Sequence, residues 1–511
     1  MASELNLLYP EGAPEGCADP NFNALCAVLG LDQMILPNVG EFFTDDPDVI
    51  RYRSELISVI LKSEQLLDAL NYMREKLREF QSMKNNTRVT SREQQLNALL
   101  NAGFYVEFIV TLAEKLEGVS AGGSQCLRQL IDYVTKERGS ERFKALKENL
   151  DRLDSKVLHI RSVTLGVNFN PQLRPIEAGI VSLNDKPFLS DNLIDRLLRL
   201  DFEKDDMHCI APLAAVKGVL GYDEQLKLND AIYNSIDSLI ADSLRKSRVS
   251  TDKYFYDQMR CFSELGRQAD FLVRACGFLQ KLRSAGMPLT APQITDGEYL
   301  IENLYNPELA LRLEGSGAGA KTIVKNRVKF DDDGRIYILT GPNSGGKTVY
   351  IRALAYAQAM LQLGLPVPAA SAKMTVCRKI LTMFPKEYTE GAKSGRLEEE
   401  CIELAGLLEK CDRTSLVLMD EVFSSTSAAD GVVLAGNALK KLKSCGCMCV
   451  FSTHLHELCD RVGELNSEPG SRVDLLAAEI IGKERTYNII RGQRSNDSDA
   501  FSIAEKYGLM N

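Results

Sequence analysis

The sequence predicts a multidomain α and α/β protein, a mainly helical region followed by a P-loop α/β domain. Three observations carry that expectation. Apolar residues recur at helical spacing through most of residues 41–291. Short apolar strands alternate with helices and glycine turns over 292–511. The length of 511 residues suits about three domains of ~150 residues each.

Composition narrows the class. An apolar fraction of 45% and a charged fraction of 26% belong to a globular chain, not a disordered one. "MASELNLLYPEGAPEG" lacks a basic stretch followed by an apolar one, so no secretory leader is expected. No apolar run approaches the ~20 residues of a membrane crossing. Thirteen cysteines without framework spacing fit a reducing compartment, and a cytoplasmic location is expected. A net charge of −9 argues against broad adhesion to nucleic acid; any DNA contact needs a local basic surface.

Residues 1–40 read as an N-terminal segment. The stretch "DVIRYRSELISVILKSEQLLDALNYMREKLREF" then spaces Val49, Ile50, Leu56, Ile57, Ile60, Leu61, Leu67 and Leu70 three to four apart, with charges between them. "QQLNALLNAGFYVEFIVTLAEKLEGV" continues the pattern until Gly122-Gly123 breaks it. Further long helices are expected from Tyr222 to Arg248 and from Asp252 to Ser284. "SKVLHIRSVTLGVNF" is β-branched and partly alternating, which predicts a small strand pair near 156–185. Pro288 and Pro292 mark a linker into the α/β domain, 292–511. No fixed-period repeat and no low-complexity tract interrupts the chain.

The densest chemistry sits at Gly341-Pro342-Asn343-Ser344-Gly345-Gly346-Lys347-Thr348, which satisfies G-x-x-x-x-G-K-[ST]. An apolar strand, Ile336–Leu339, precedes it and a helix starting near Lys347 follows. Glycines let backbone N–H groups curl around phosphate oxygens, and the helix N-terminus adds partial positive charge. Lys347 should reach the β- and γ-phosphates of a nucleotide, ATP, and the Thr348 hydroxyl should ligate Mg²⁺. A glycine turn that binds nothing would not need the lysine, the hydroxyl, the strand and the helix together.

Downstream, "TSLVLMDEVFSSTSAADG" ends a buried strand on adjacent carboxylates. Asp420 suits the Mg²⁺ side and Glu421 suits polarising the attacking water. A carboxylate pair could instead cap the next helix, but after a P-loop the catalytic assignment is preferred. The strand "CMCVFSTH" ends at His454, placed to sense a γ-phosphate at the same sheet edge. Cys445, Cys447 and Cys449, with His454, His456 and Cys459, invite a metal reading. Cysteine as a small buried hydrophobe is the preferred reading of these thiols.

"TGPNSGGKT", "LVLMDE" with the Ser/Thr-rich loop before Asp430-Gly431, and "FSTHLHEL" together closely resemble the ATPase of the MutS family of DNA mismatch-repair proteins. The likeness reaches "IENLYNPEL" and "IVKNRVKF" upstream and "SDAFSIAEKYGL" downstream. It covers about 298–511, with weaker similarity through 41–290, where MutS proteins carry lever and clamp. The resemblance implies an ABC-type ATPase working as a homodimer on DNA, with each ATP between one subunit's P-loop and the other's signature segment. That segment is expected at Ser394-Gly395-Arg396-Leu397-Glu398 in "GAKSGRLEEEC", which departs from the family's serine-threonine-phenylalanine pattern. Segment 424–427 matches the loop that crosses the dimer interface. Ile323 falls where mismatch-repair members place an aromatic against adenine, so aliphatic contact would replace stacking. Asn326 matches the family's asparagine in the same strand.

By that resemblance the family's mismatch-reading and connector domains are not expected before residue 41, nor a nuclease-like extension after the match. The sole phenylalanine–x–glutamate triplet, Phe262-Ser263-Glu264, lies on a helical stripe with Leu265, Ala269, Leu272 and Cys276, so Phe262 is expected in a core. The expected function is therefore ATP-gated binding of DNA structures more than of simple mismatches. The alternative is an ATP-switched protein scaffold without DNA contact.

Overall fold

The computed structural model describes residues 5–10, 19–83, 91–151, 162–172, 175–187, 253–342, 345–385, 395–423, 426–481 and 484–492. The expected helix Tyr222–Arg248, together with Asn343, Ser344, Ser394, Ser424 and Ser425, lies outside these residues. Two compact units account for the chain, one of 1–5, 72–119 and 129–266, the other of 6–71, 120–128 and 267–511. The units are discontinuous in sequence.

The first seven helices are α1 (Pro20–Val28), α2 (Leu31–Met34), α3 (Pro47–Ile60), α4 (Glu64–Met83), α5 (Ser91–Leu116), α6 (Gln125–Gly139) and α7 (Glu141–Asp151). After an antiparallel hairpin of β1 (Ser162–Phe169) and β2 (Pro175–Asn184) comes the long helix α8 (Lys253–Ser284). The first unit holds α5, α7 and parts of α4, α6 and α8. Phe262 is fully buried there, edge-on to Phe108 at 5.1 Å and to Tyr133 at 5.5 Å. It is a packing residue, its ring enclosed by other rings.

The second unit holds two sheets. Strands β3 (Gln293–Ile294), β4 (Tyr299–Leu304), β5 (Asn326–Phe330) and β7 (Ser371–Met374) form a four-stranded sheet in the order β3-β7-β4-β5. The larger, six-stranded sheet runs β12-β11-β6-β10-β9-β8. Its strands are β6 (Ile336–Thr340), β8 (Lys379–Met383), β9 (Ser415–Asp420), β10 (Met448–Ser452), β11 (Val473–Ile481) and β12 (Glu484–Arg491). Helices α9 (Pro307–Gly315), α10 (Lys347–Gln362), α11 (Arg396–Lys410) and α12 (Ala428–Cys445) connect them. β6, β9 and β10 are buried along their whole length, as a parallel sheet covered on both faces requires.

The N-terminal segment belongs to this unit. Asp46 caps α3 by accepting from Asp48 N at 2.8 Å, with Pro47 fixing the first turn. Arg53, fully buried, donates to the carbonyls of Leu8 and Phe42 and lies 4.5 Å from the Tyr9 ring centre. Tyr356 and Arg352 of α10 donate to the carbonyls of Leu29 and Val28. The helix that follows the P-loop is thereby tied to residues more than 300 positions earlier.

Candidate nucleotide site

The site follows from strand order. β10 lies between β6 and β9, parallel to both, with Ser452 opposite Leu339 and Asp420. The residues just beyond these ends, Gly341, Glu421 and Thr453, must therefore emerge at one edge of the sheet.

The loop after β6 is built on backbone conformations that suit glycine. Gly341 has φ 144°, and a Cβ there would come 2.6 Å from Ala478 Cβ on β11. Gly346, at φ 94°, caps α10. Lys347 begins that helix, yet its side chain is 4% exposed. Its ammonium donates to the carbonyls of Gly341 (2.8 Å) and Pro342 (3.1 Å) and sits 4.0 Å from Glu421 Oε1. Burial lowers its pKa, opposed by the negative charges of Glu421 and Asp420. Burial raises the pKa of Asp420, opposed by the hydroxyls of Thr348 and Ser452. Asp420 Oδ1 is buried and has no hydrogen-bond partner among the described residues.

Two non-glycine residues in the following turn, Glu421 (φ 53°) and Phe423 (φ 63°), are left-handed. Each such conformation costs on the order of 1–3 kcal/mol and persists where surroundings enforce it. Glu421 N donates to Ser452 O at 3.1 Å. Phe423 N donates to Glu400 Oε2 of α11 at 3.0 Å. His454, one residue past Thr453, is exposed at the same edge.

Lys347, Thr348, Asp420 and Glu421 are brought together, with Gly341, Pro342, Gly345 and Gly346 forming the described part of the loop. Ile323 is 8% exposed and follows the turn Ala320–Thr322. Asn326 is used as a clamp: Nδ2 donates to Tyr487 O at 3.2 Å, and Oδ1 accepts from Ile489 N at 2.7 Å. That clamp holds Tyr487 (φ 60°), whose side chain is half exposed and whose Cδ1 would lie 3.5 Å from a Cβ on Gly346. The sequence reading passed over Tyr487, because "ERTYNII" reads as an ordinary edge strand and only tertiary placement sets it against the loop.

Cys445 ends α12, Cys447 precedes β10 and Cys449 lies within it. No group of three or more metal-ligating side chains is formed among the described residues, and Cys447, Cys449 and Cys459 are buried.

Residues 337–506, which contain the loop, both carboxylates and His454, match the family model for MutS domain V. The C-terminal third of the chain is thus similar to domain V of MutS proteins. It is 26% identical over 278 residues to the Staphylococcus aureus protein named endonuclease MutS2, covering 52% of this chain and 33% of that one. It is 30% identical over 252 residues to the DNA mismatch repair protein MutS of Clostridium perfringens, covering 48% and 24%. The MutS of Prochlorococcus marinus is 35% identical over 139 residues, 27% of this chain and 15% of its own length. The chain thus spans a third or less of these relatives.

Proposed function

We propose that this chain is a MutS-family, Mg²⁺-dependent ATPase whose nucleotide cycle gates a dimeric clamp on DNA, reading DNA structure rather than single mismatches. The observation that supports it most is the buried Lys347 ammonium, solvated by the carbonyls of its own glycine loop beside an unpaired Asp420 oxygen. Leaving a buried polar group without a partner costs about 1–3 kcal/mol. A site that has to receive charge explains such groups.

Under this reading Lys347 turns from loop carbonyls to phosphate oxygens. The backbone of 341–348, including Asn343 and Ser344, wraps the phosphates. Thr348 and Asp420, a hydroxyl and a carboxylate side by side, form the hard oxygen set that suits Mg²⁺. When bound, Mg²⁺ supplies charge neutralisation for the phosphates. Glu421 orients and polarises water, and exposed His454 senses the γ-phosphate. Ile323 and Asn326 border the base, and Tyr487 offers it an aromatic face. Ser394 completes the partner's site, giving two composite sites per homodimer. The helical region 41–291 transmits closure to DNA. The setting is cytoplasmic; no helix among the described residues is long and apolar enough to cross a membrane.

Steady-state hydrolysis with Mg²⁺-ATP tests the chemistry. Lys347→Ala should lose nucleotide affinity, whereas Glu421→Gln should bind ATP and stall. Equal turnover in wild type and Glu421→Gln overturns the assignment.

A scaffold that binds protein instead of DNA is favoured by one observation. Hairpin β1–β2 exposes the apolar side chains of Leu165 and Val181. Mobility shifts on linear, branched and mismatched DNA across a salt series separate the readings, since a clamp loses affinity in proportion to the phosphates it neutralises.

A further inference from the structure

We infer that Glu400 is the positioning residue that holds Glu421 in its working orientation, so that the placement of α11 gates hydrolysis. This rests on the nucleotide reading above. Glu421 follows β9 and is fixed on one side by its N–H bond to Ser452 O. The turn must then be fixed on its far side, and there Phe423 N donates to Glu400 Oε2 at 3.0 Å. Both turn residues are left-handed non-glycines, which relax toward ordinary backbone angles when released. Glu400 is the acceptor that opposes that relaxation.

Glu400 is well placed for this work. Its side chain is 15% exposed and is steadied by Arg396, one turn earlier, at 3.4 Å. Phe423 is 2% exposed and packs in the same core as Leu404 and Leu407 of α11. The N–H therefore has little access to water as a substitute partner. A shift of α11 by about an ångström lengthens the bond beyond hydrogen-bonding range. The turn then loosens, and Glu421 moves relative to Lys347, 4.0 Å away. Nucleotide binding is untouched by this device, because Glu400 contacts neither the loop after β6 nor α10 among the hydrogen bonds and ion pairs described.

The test is steady-state ATP hydrolysis by the full chain, resolving kcat from KM, with wild type and Glu421→Gln in parallel. Glu400→Met keeps the length but lacks the acceptor; kcat should fall about tenfold with KM within about twofold. Glu400→Gln retains an acceptor oxygen and should stay within about twofold of wild type in kcat. Thermal melts accompany each variant, and Glu400→Ala replaces Glu400→Met should the latter not fold. A kcat in Glu400→Met or Glu400→Ala equal to wild type, while Glu421→Gln stalls, overturns the role of Glu400 alone. So does a Glu400→Gln as slow as Glu400→Met, since charge rather than the acceptor would then matter. A wild type without turnover overturns the nucleotide reading and this one with it.

Discussion

Arg491 and Asp420 are charged groups of one compact unit built on opposite terms. Arg491 gives two hydrogen bonds to Asp331, both 2.8 Å, and one to Asp474 at 2.7 Å, while its guanidinium lies 5.3 Å from the Tyr337 ring centre. Lys329 adds an ion pair to Asp331 at 2.8 Å. Asp331 is held well below the usual carboxylate range, first by its hydrogen bonds from Arg491. Asp420, 3% exposed, instead keeps one oxygen unpaired, as does the buried Thr340 hydroxyl at the end of β6. A saturated charge network fixes strands in place. An unsaturated one at a sheet edge bears a desolvation cost that protonation or a bound cation would relieve.

The comparison breaks most visibly at Asp420. Asp420→Asn should lower Mg²⁺-ATP turnover at least ~100-fold. The same change should leave urea stability unchanged or raise it by ~1 kcal/mol, because a buried unpaired charge is gone. A clear loss of stability in Asp420→Asn would mean the carboxylate is structural. Arg491→Ala should do the reverse, costing about 2–3 kcal/mol in urea denaturation, with the lower figure favoured by its 29% exposure. Its ATP affinity should change little.

Acidity sharpens the contrast. Asp420 has a folded pKa raised above its ordinary 3.8, so its contribution to stability is greatest below 3.8 and is lost as pH rises through the folded value. The stability advantage of Asp420→Asn over wild type should therefore shrink as pH falls from neutral toward that window. Asp331 has the opposite sign: its contribution is present above 3.8 and is lost as pH falls through its depressed value. Denaturation curves of both proteins across mildly acidic pH read the difference. The smallest effect belongs to Tyr487→Ala, which should weaken ATP and ADP binding by about fivefold each through a lost aromatic face, leaving kcat alone. Titration of a fluorescent nucleotide measures it.

The loop and its carboxylates are legible in sequence because their signal is local. Gly341 and Gly346 must tolerate φ values that other residues avoid, Lys347 and Thr348 follow at fixed spacing, and β9 is an apolar run ending in Asp420-Glu421. Periodicity likewise exposes α3 and α4, and the stripe through Phe262 points to the interior it occupies. What the sequence hides is set by distant pairing. Glu400 reads as one of several acidic residues on an amphipathic helix until Phe423 N is seen against it. Asn326 reads as a family match, and its clamp on β12 is visible only once residues 487 and 489 lie beside it. The compact units are hidden for the same reason: nothing near Arg53 announces that its partners are loop carbonyls and the backbone beneath Gly364.

The strand order also sets a timetable for synthesis. β6 pairs with β10 and β11, Ile336 lying opposite both Cys449 and Val473, so the strand feeding the P-loop leaves the ribosome well before either neighbour exists. The N-terminal segment waits longer still, since the α10 side chains that hold Val28 and Leu29 are made more than 300 residues later. Distant pairings of this kind slow folding and leave apolar strand edges uncovered meanwhile. Val28 and Leu29 are among the last residues to find their seats, and chaperone demand should peak while β6 is out and β10 is not.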